Sequence, residues 1–233
     1  MTALLQCRNI SKSYGGVHAL QGVDLKIEPG RVHGLIGPNG AGKSTFIDVV
    51  SGRTRGSGTV ILGDVDISSL PPDKRRRLGL SRSFQRTSIF PAMTVRSQLE
   101  LAATWVDDDN TADLVDMFSL HAVLDEHAEE ISYGQQRLVD LALALVGMPR
   151  VLLLDEPAAG LSAGDSHSLT DHLLEIARRW NVAVLLVEHD MDVIFKVCNV
   201  LTVLETGRLL IEGPPDAVRS DPKVIQAYFG SAA

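Results

Sequence analysis

The chain has 233 residues, 45% hydrophobic and 22% charged, which allows one large domain or two small ones around a real core. Its formal net charge of −7 excludes a global basic field for nucleic acid. No apolar run approaches the roughly 20 residues that span a bilayer, so no segment is expected to cross a membrane.

In chain order, MTALLQCRNISKSY lacks the long apolar stretch of a signal peptide. RVHGLIG, 31–37, reads as a compact strand ending in glycine, and KSTFIDVVSG, 43–52, as a helix stopped by Gly52. TVILGDVDI, 59–67, reads as two strands around Gly63-Asp64, a hairpin signal. The cluster Lys74-Arg75-Arg76-Arg77 reads as a solvated helix face, balanced by Asp107-Asp108-Asp109. From about 91 to 147 there is no strong strand pattern and the segment is mostly helical. Within it, ISYGQQR (131–137) stands before the apolar run LVDLALALVG. Ser132 with Gln135 fits a capping box, and Leu138, Leu141, Ala142 and Leu145 are expected on the buried face of the helix it opens. VLLLDEP, 151–157, is an almost unbroken apolar strand, the pattern of a parallel strand covered on both sides. SLTDHLLEIARRW carries Leu169, Leu173, Ile176 and Trp180 at helical spacing. VAVLLVEHD is another buried strand, and VLTVLETGRLLIEG a hairpin turning near Thr206-Gly207. With α/β segments flanking a helical insertion and no repeat or low-complexity linker, residues 1–233 read as one α/β domain with two lobes. Cys7 and Cys198 have no metal-like spacing and read as buried free thiols of a reducing compartment.

Two stretches carry chemistry. Gly37, Pro38, Asn39, Gly40, Ala41, Gly42, Lys43, Ser44 and Thr45 follow a strand, open a helix and fit G-x-x-x-x-G-K-[ST]. The glycines let backbone N–H groups converge on phosphate oxygens, and the helix dipole adds to the same place. Lys43 is expected at the β- and γ-phosphates, and the Ser44 hydroxyl on Mg²⁺. VLLLDEP ends in Asp155, suited to Mg²⁺ beside a phosphate loop, and Glu156, able to polarise a water for attack on the γ-phosphate. Taken singly, Tyr14 in SKSYGG, Gln85 in SRSFQR and His189 in LLVEHD are ordinary residues.

Together, Tyr14, GPNGAGKST, Gln85, ISYGQQR, VLLLDEP and His189 stand in the order and spacing of an ABC-type ATPase subunit. The resemblance covers essentially the whole chain. It implies a phosphate-loop, RecA-like core with an antiparallel β subdomain (1–90 and 148–233) and a helical subdomain (about 91–147). It implies that Tyr14 stacks on adenine, that residues 37–45 hold the phosphates of ATP, and that Ser44, Gln85 and Asp155 serve Mg²⁺. Glu156 resembles the catalytic base and His189 the histidine that contacts the γ-phosphate. Ser132, Tyr133, Gly134 and Gln135 resemble the signature segment, which holds the ATP of a second ATP-binding subunit across a head-to-tail dimer. Ile131 and Tyr133 depart from the usual L-S-G-G-Q, and Ser162 stands where many members carry aspartate. Tyr133 is therefore expected at the dimer contact.

SYGQQR, DEPAAGL, EHDMDVIF and DPKVIQAYFG resemble the ATP-binding subunits of branched-chain amino-acid importers. That resemblance implies ATP hydrolysis coupled to import and transmembrane permease partners reached through a groove near Gln85. It further implies a periplasmic or extracellular substrate-binding protein acting indirectly, no nucleic acid, and a place on the cytoplasmic face of the inner membrane. Urea or another amide or amino acid is the alternative cargo. A soluble, non-transport ABC ATPase fits less well, because the chain has one phosphate loop, no long heptads and no cysteine clusters. A phosphate-loop kinase has no need of ISYGQQR or of His189.

Overall fold

Residues 3–229 are described by a computed structural model, and their strands fall into two sheets. In chain order, β1 (Leu5–Tyr14) and β2 (Val17–Ile27) form an antiparallel hairpin, and β3 (Val32–Ile36) leads to α1 (Lys43–Val50). β4 (Ser57–Leu62) turns at Gly63-Asp64 into β5 (Val65–Asp66). α2 (Pro72–Arg77) and β6 (Leu80–Ser83) precede the helices α3 (Val95–Ala103), α4 (Thr111–Met117) and α5 (Tyr133–Leu145). Next come β7 (Val151–Asp155), α6 (Ala163–Trp180), β8 (Ala183–Val187) and α7 (Met191–Val197). The hairpin β9 (Val200–Glu205) and β10 (Arg208–Gly213) is followed by α8 (Pro215–Arg219) and α9 (Pro222–Phe229). The resemblance segment DPKVIQAYFG ends at Gly230, which lies outside the described residues, as do the outer limits of the expected domain.

One sheet is antiparallel, in the order β2-β1-β4-β5; the other runs β10-β9-β3-β8-β7-β6. Within the second, β9, β3, β8, β7 and β6 are parallel and only β10 is antiparallel. The unbroken apolar runs of β7 and β8 are explained by their two faces. Leu152, Leu154, Val184 and Leu186 pack with residues of α5 and α6, such as Leu141 and Leu173. Val151, Leu153, Leu185 and Val187 pack with Phe46 and Ile47 of α1 and with the antiparallel sheet. Each such buried side chain contributes about 1.5–3 kcal/mol, so polar residues are excluded until the strand ends. Because β3, β6, β7 and β8 point the same way, Gly37, Gln85, Glu156 and His189 all follow strand ends at one edge of the sheet. In open α/β sheets ligands bind at that edge.

Strands at 32–36, 151–155, 183–187 and both hairpins lie where the pattern predicts them. Three differences have physical reasons. α6 begins at Ala163, ahead of the expected segment, because the Ser162 side chain accepts the Asp165 N–H and caps it. β1 and β2 escape a period-2 reading because bulges shift their register, with Asn9 at φ 51°. The basic cluster is not a solvated face. Lys74 and Arg77 are exposed, but Arg75 is 3% exposed and donates to the carbonyls of Val49, Val50, Ser68 and Leu70. Val49 and Val50 end α1, where carbonyls lack helical partners, so a guanidinium is drawn in to satisfy them. Arg76 turns inward as well and donates to the Val146 carbonyl. Both cysteines are buried and free, as expected.

Candidate functional site

The loop between β3 and α1 encloses a cavity of about 210 Å³, lined by Asn39 to Thr45 together with Ala19 and Glu156. Two glycines are required by close approach. A Cβ on Gly37 (φ 149°) would lie 2.2 Å from the Leu204 carbonyl oxygen, and one on Gly42 (φ 105°) 2.5 Å from that of Ala19. α1 starts without a side-chain cap, so the N–H groups of its first turn are unpaired donors for an anion. Lys43 Nζ folds back on the loop and donates to the Gly37 and Pro38 carbonyls at 2.7 and 3.0 Å. Burial pulls its pKa down, opposed by the negative charges of Glu156 and Asp155. An ammonium poised on two neutral carbonyls can exchange them for phosphate oxygens, which are better partners.

Beside the loop, Ser44 Oγ lies 3.4 Å from Asp155 Oδ1 and donates to it. Burial raises the Asp155 pKa, and the Arg82 guanidinium opposes this. One hydroxyl and one carboxylate are hard oxygen donors. They fit Mg²⁺, which takes one or two carboxylates and completes its shell with water and phosphate oxygens. Among the described residues no group of three or more His, Cys, Asp or Glu side chains is placed to hold a metal ion by itself.

Glu156 follows immediately, with φ 50°. A non-glycine residue in that region costs about 1–3 kcal/mol and persists only when its surroundings hold it. Here its N–H donates to the Val187 carbonyl at 2.8 Å and its own carbonyl accepts from Arg137 at 3.1 Å. Its carboxylate accepts a 2.6 Å bond from Gln85 Nε2 on one oxygen, and its other oxygen lies 3.6 Å from His189 Nδ1. Gln85, Glu156 and His189 are thus brought together, with Gln85 placed on Glu156 and not on the Ser44–Asp155 pair. Tyr14 stands apart at the end of β1. It is 49% exposed, does not line the cavity, and has Lys12 Nζ 4.8 Å over its ring.

Ser132 caps α5 as the ISYGQQR pattern predicts. The Gln135 N–H donates to Ser132 Oγ, and the Ser132 N–H to Gln135 Oε1, closing the capping box. Leu141, Ala142 and Leu145 are buried, whereas Leu138 is only partly so. The Tyr133 hydroxyl donates to the Ala159 carbonyl at 3.2 Å and its ring packs on Gly160, so within this chain it is tied to the segment after Glu156.

Pattern reading missed the residues that connect these parts. Arg137 is 2% exposed and donates to the carbonyls of Phe84, Glu156 and Pro157. Asp140 accepts from Ser83 Oγ at 2.6 Å and the Ser88 N–H at 2.8 Å. One helix therefore grips both the Gln85 loop and the Glu156 turn. The available signal was an Arg and an Asp three apart in line with Leu141 and Ala144, on the face that faces inward. Glu188, also unnoticed, accepts from the Ala158 and His189 N–H groups.

Comparison with known proteins gives consistent findings. The ABC transporter family model matches residues 20–159, and a model of the branched-chain amino acid ATP-binding cassette transporter matches residues 208–233. The chain is 32% identical to the high-affinity branched-chain amino acid transport ATP-binding protein BraF of Pseudomonas aeruginosa, over 98% of each chain. It is equally identical, over 98% of each chain, to the protein LivG of Escherichia coli, which carries the same description. Among solved structures, an ATP-binding cassette of an ABC transporter in its ADP conformation superposes with a TM-score of 0.89 at 29% identity. It covers 99% of this chain and 100% of that one.

Proposed function

The chain belongs to the ABC transporter family of ATP-binding proteins and is an ATPase; from that premise we propose that it powers the import of branched-chain amino acids. The observation that carries the chemistry is the convergence at one sheet edge of the phosphate loop, the Ser44–Asp155 pair and Glu156 held between Gln85 and His189. The cargo reading is supported by the relatives BraF and LivG, both branched-chain amino acid transport ATP-binding proteins, and by SYGQQR.

In this reading the N–H groups of α1 and Lys43 bind the phosphates of ATP, with Lys43 leaving the carbonyls of Gly37 and Pro38. Ser44 and Asp155 would hold Mg²⁺, which supplies charge neutralisation at the phosphates. Gln85 joins that pair once it releases Glu156. The freed Glu156 carboxylate orients a water for attack on the γ-phosphorus and takes its proton, while the bond from that phosphorus to the β-phosphate oxygen breaks and ADP leaves. His189 donates to the γ-phosphate, and Tyr14 offers the ring face away from Lys12 to adenine. The bond between Gln85 and Glu156 keeps the base engaged elsewhere until the nucleotide arrives.

We further infer a single cassette, with core residues 1–90 and 148–233 and a helical lobe of about 91–147 that contains α3, α4 and α5. Ser132, Tyr133, Gly134 and Gln135 of this chain face the nucleotide of a second ATP-binding subunit, in a homodimer or a heterodimer, and that subunit's own signature segment faces the nucleotide held here. No helix among the described residues is long and apolar enough to cross a membrane. Attachment to the cytoplasmic face accordingly runs through permease subunits, and a substrate-binding protein acts on those subunits from the other side.

The test is Glu156→Gln, which keeps the shape and removes the base. ATP is expected to bind normally while hydrolysis falls about 10²–10⁴-fold, and an ATP-bound dimer accumulates on size exclusion. Normal turnover in this variant would remove Glu156 from its role. For cargo, the chain reconstituted in liposomes with its permeases and binding protein is expected to show ATPase stimulated by leucine or valine; stimulation by urea alone would overturn the assignment.

A further inference from the structure

Arg82 lies on β6, beside Asp155. Its side chain is 8% exposed, and it touches three elements. Nη1 donates to Asp48 Oδ1 at 2.5 Å and to Ser51 Oγ at 3.0 Å, on and just after α1. Nη2 reaches Asp155 Oδ2 at 3.5 Å. The guanidinium carbon lies 4.8 Å from the Phe84 ring centroid, on the segment that leads to Gln85. Nε is buried with no partner among the described residues. A group held this deeply while one donor goes unpaired is retained for its other bonds.

Those bonds divide the Asp155 carboxylate. Oδ1 faces the Ser44 hydroxyl and Oδ2 faces Arg82. Ser44 and Asp48 are four residues apart on α1, one above the other on the same helix face. A single planar guanidinium thereby sets the carboxylate of β7 against that face. Asp48 has a second cation in Arg53 at 3.9 Å, whereas Arg82 is the only ion-pair partner of Asp155 among the described residues. A lysine ammonium, a point charge on a flexible stem, does not span Asp48, Ser51 and Asp155 as the planar guanidinium does.

We propose that Arg82 is a positioning residue for the metal: it holds Asp155 turned toward Ser44, so that the two oxygen donors are already paired when Mg²⁺ arrives with the nucleotide. This rests on the reading of Ser44 and Asp155 as the metal donors. Groups that orient a metal ligand typically cost 10–100-fold in metal affinity when removed.

The experiment is titration of the purified chain with a non-hydrolysable ATP analogue, in Mg²⁺ or in EDTA. In Arg82→Met, affinity in EDTA stays within about twofold of the parent, while the gain on adding Mg²⁺ falls about tenfold. In Arg82→Lys, which keeps the charge but reaches fewer acceptors, the gain falls about threefold. An unchanged gain in Arg82→Met overturns the proposal. So does an equal fall in EDTA and in Mg²⁺, which would make Arg82 a support of the phosphate helix alone. If Arg82→Met does not fold by circular dichroism, Arg82→Lys decides: an unchanged gain overturns the proposal. Ser44→Ala separates the two levels, because a Mg²⁺ gain that survives it refutes the donor assignment itself, whatever Arg82 does.

Discussion

Replacing Arg137 with methionine keeps most of the stem and removes the guanidinium. The carbonyls of Phe84, Glu156 and Pro157 each lose a donor, and Asp140 loses a cation at 3.5 Å. Breaking one side of a buried pair costs about 3–5 kcal/mol. Asp140 keeps the Ser83 and Ser88 donors, which places the loss near the lower end, about 3 kcal/mol. For a chain of this size each kcal/mol moves Tm by about 2–4 °C, so the expected fall is about 6–12 °C. A thermal melt followed by circular dichroism measures it. Asp140→Asn added to Arg137→Met removes the stranded charge but keeps an oxygen acceptor, and is expected to recover about half of the loss. A shift below about 2 °C, or no recovery in the double variant, would refute the idea that this guanidinium joins α5 to the Glu156 turn.

The other expectations concern the base, the metal, a buried histidine and the thiols. Glu156→Gln separates binding from hydrolysis, and Arg82→Met separates nucleotide affinity from its dependence on Mg²⁺, as set out above. His33 bonds Thr202 Oγ1 at 2.7 Å, and burial pulls its pKa down against the opposing pull of Glu212 and the Lys26 carbonyl. Between that lowered value and about 6.5 the unfolded chain binds more protons, so stability rises with pH and is lost on acidification through this window. His33→Gln is expected to flatten the dependence of the denaturation midpoint between pH 7 and 5; an unchanged slope would count against it. Burial pushes the Cys7 and Cys198 thiols up to about 12, so neither is expected to react with a thiol reagent at pH 8 until denaturant is added. Rapid labelling of the native chain would contradict their placement.

Residues that act through neighbouring backbone were legible from the chain alone. The phosphate loop needs glycine at particular places and a helix directly after it, so contiguous letters describe it. The capping box of Ser132 and Gln135 is likewise a matter of three residues along one turn. VLLLDEP discloses both its burial and the acids at its end, because the apolar run stops where the strand reaches the sheet edge. Tyr14, Gln85 and His189 were ordinary letters, singled out only by resemblance to a family. Arg75, read as a solvated charge, turned inward because the carbonyls it satisfies belong to a helix about 25 residues earlier.

By itself the sequence determined the α/β alternation, the phosphate loop, the acidic strand end and the helix that ISYGQQR opens. Tertiary structure alone decided that Gln85 sits on Glu156, that Arg82 lies between Asp48 and Asp155, and that Arg137 of α5 binds the carbonyls of Phe84, Glu156 and Pro157. The reason is one of distance along the chain. A turn or a cap is closed by dihedral angles of adjacent residues, whereas 71 positions separate Gln85 from Glu156. Only the parallel pairing of β6, β7 and β8, which carries their ends to a common edge, makes such residues neighbours.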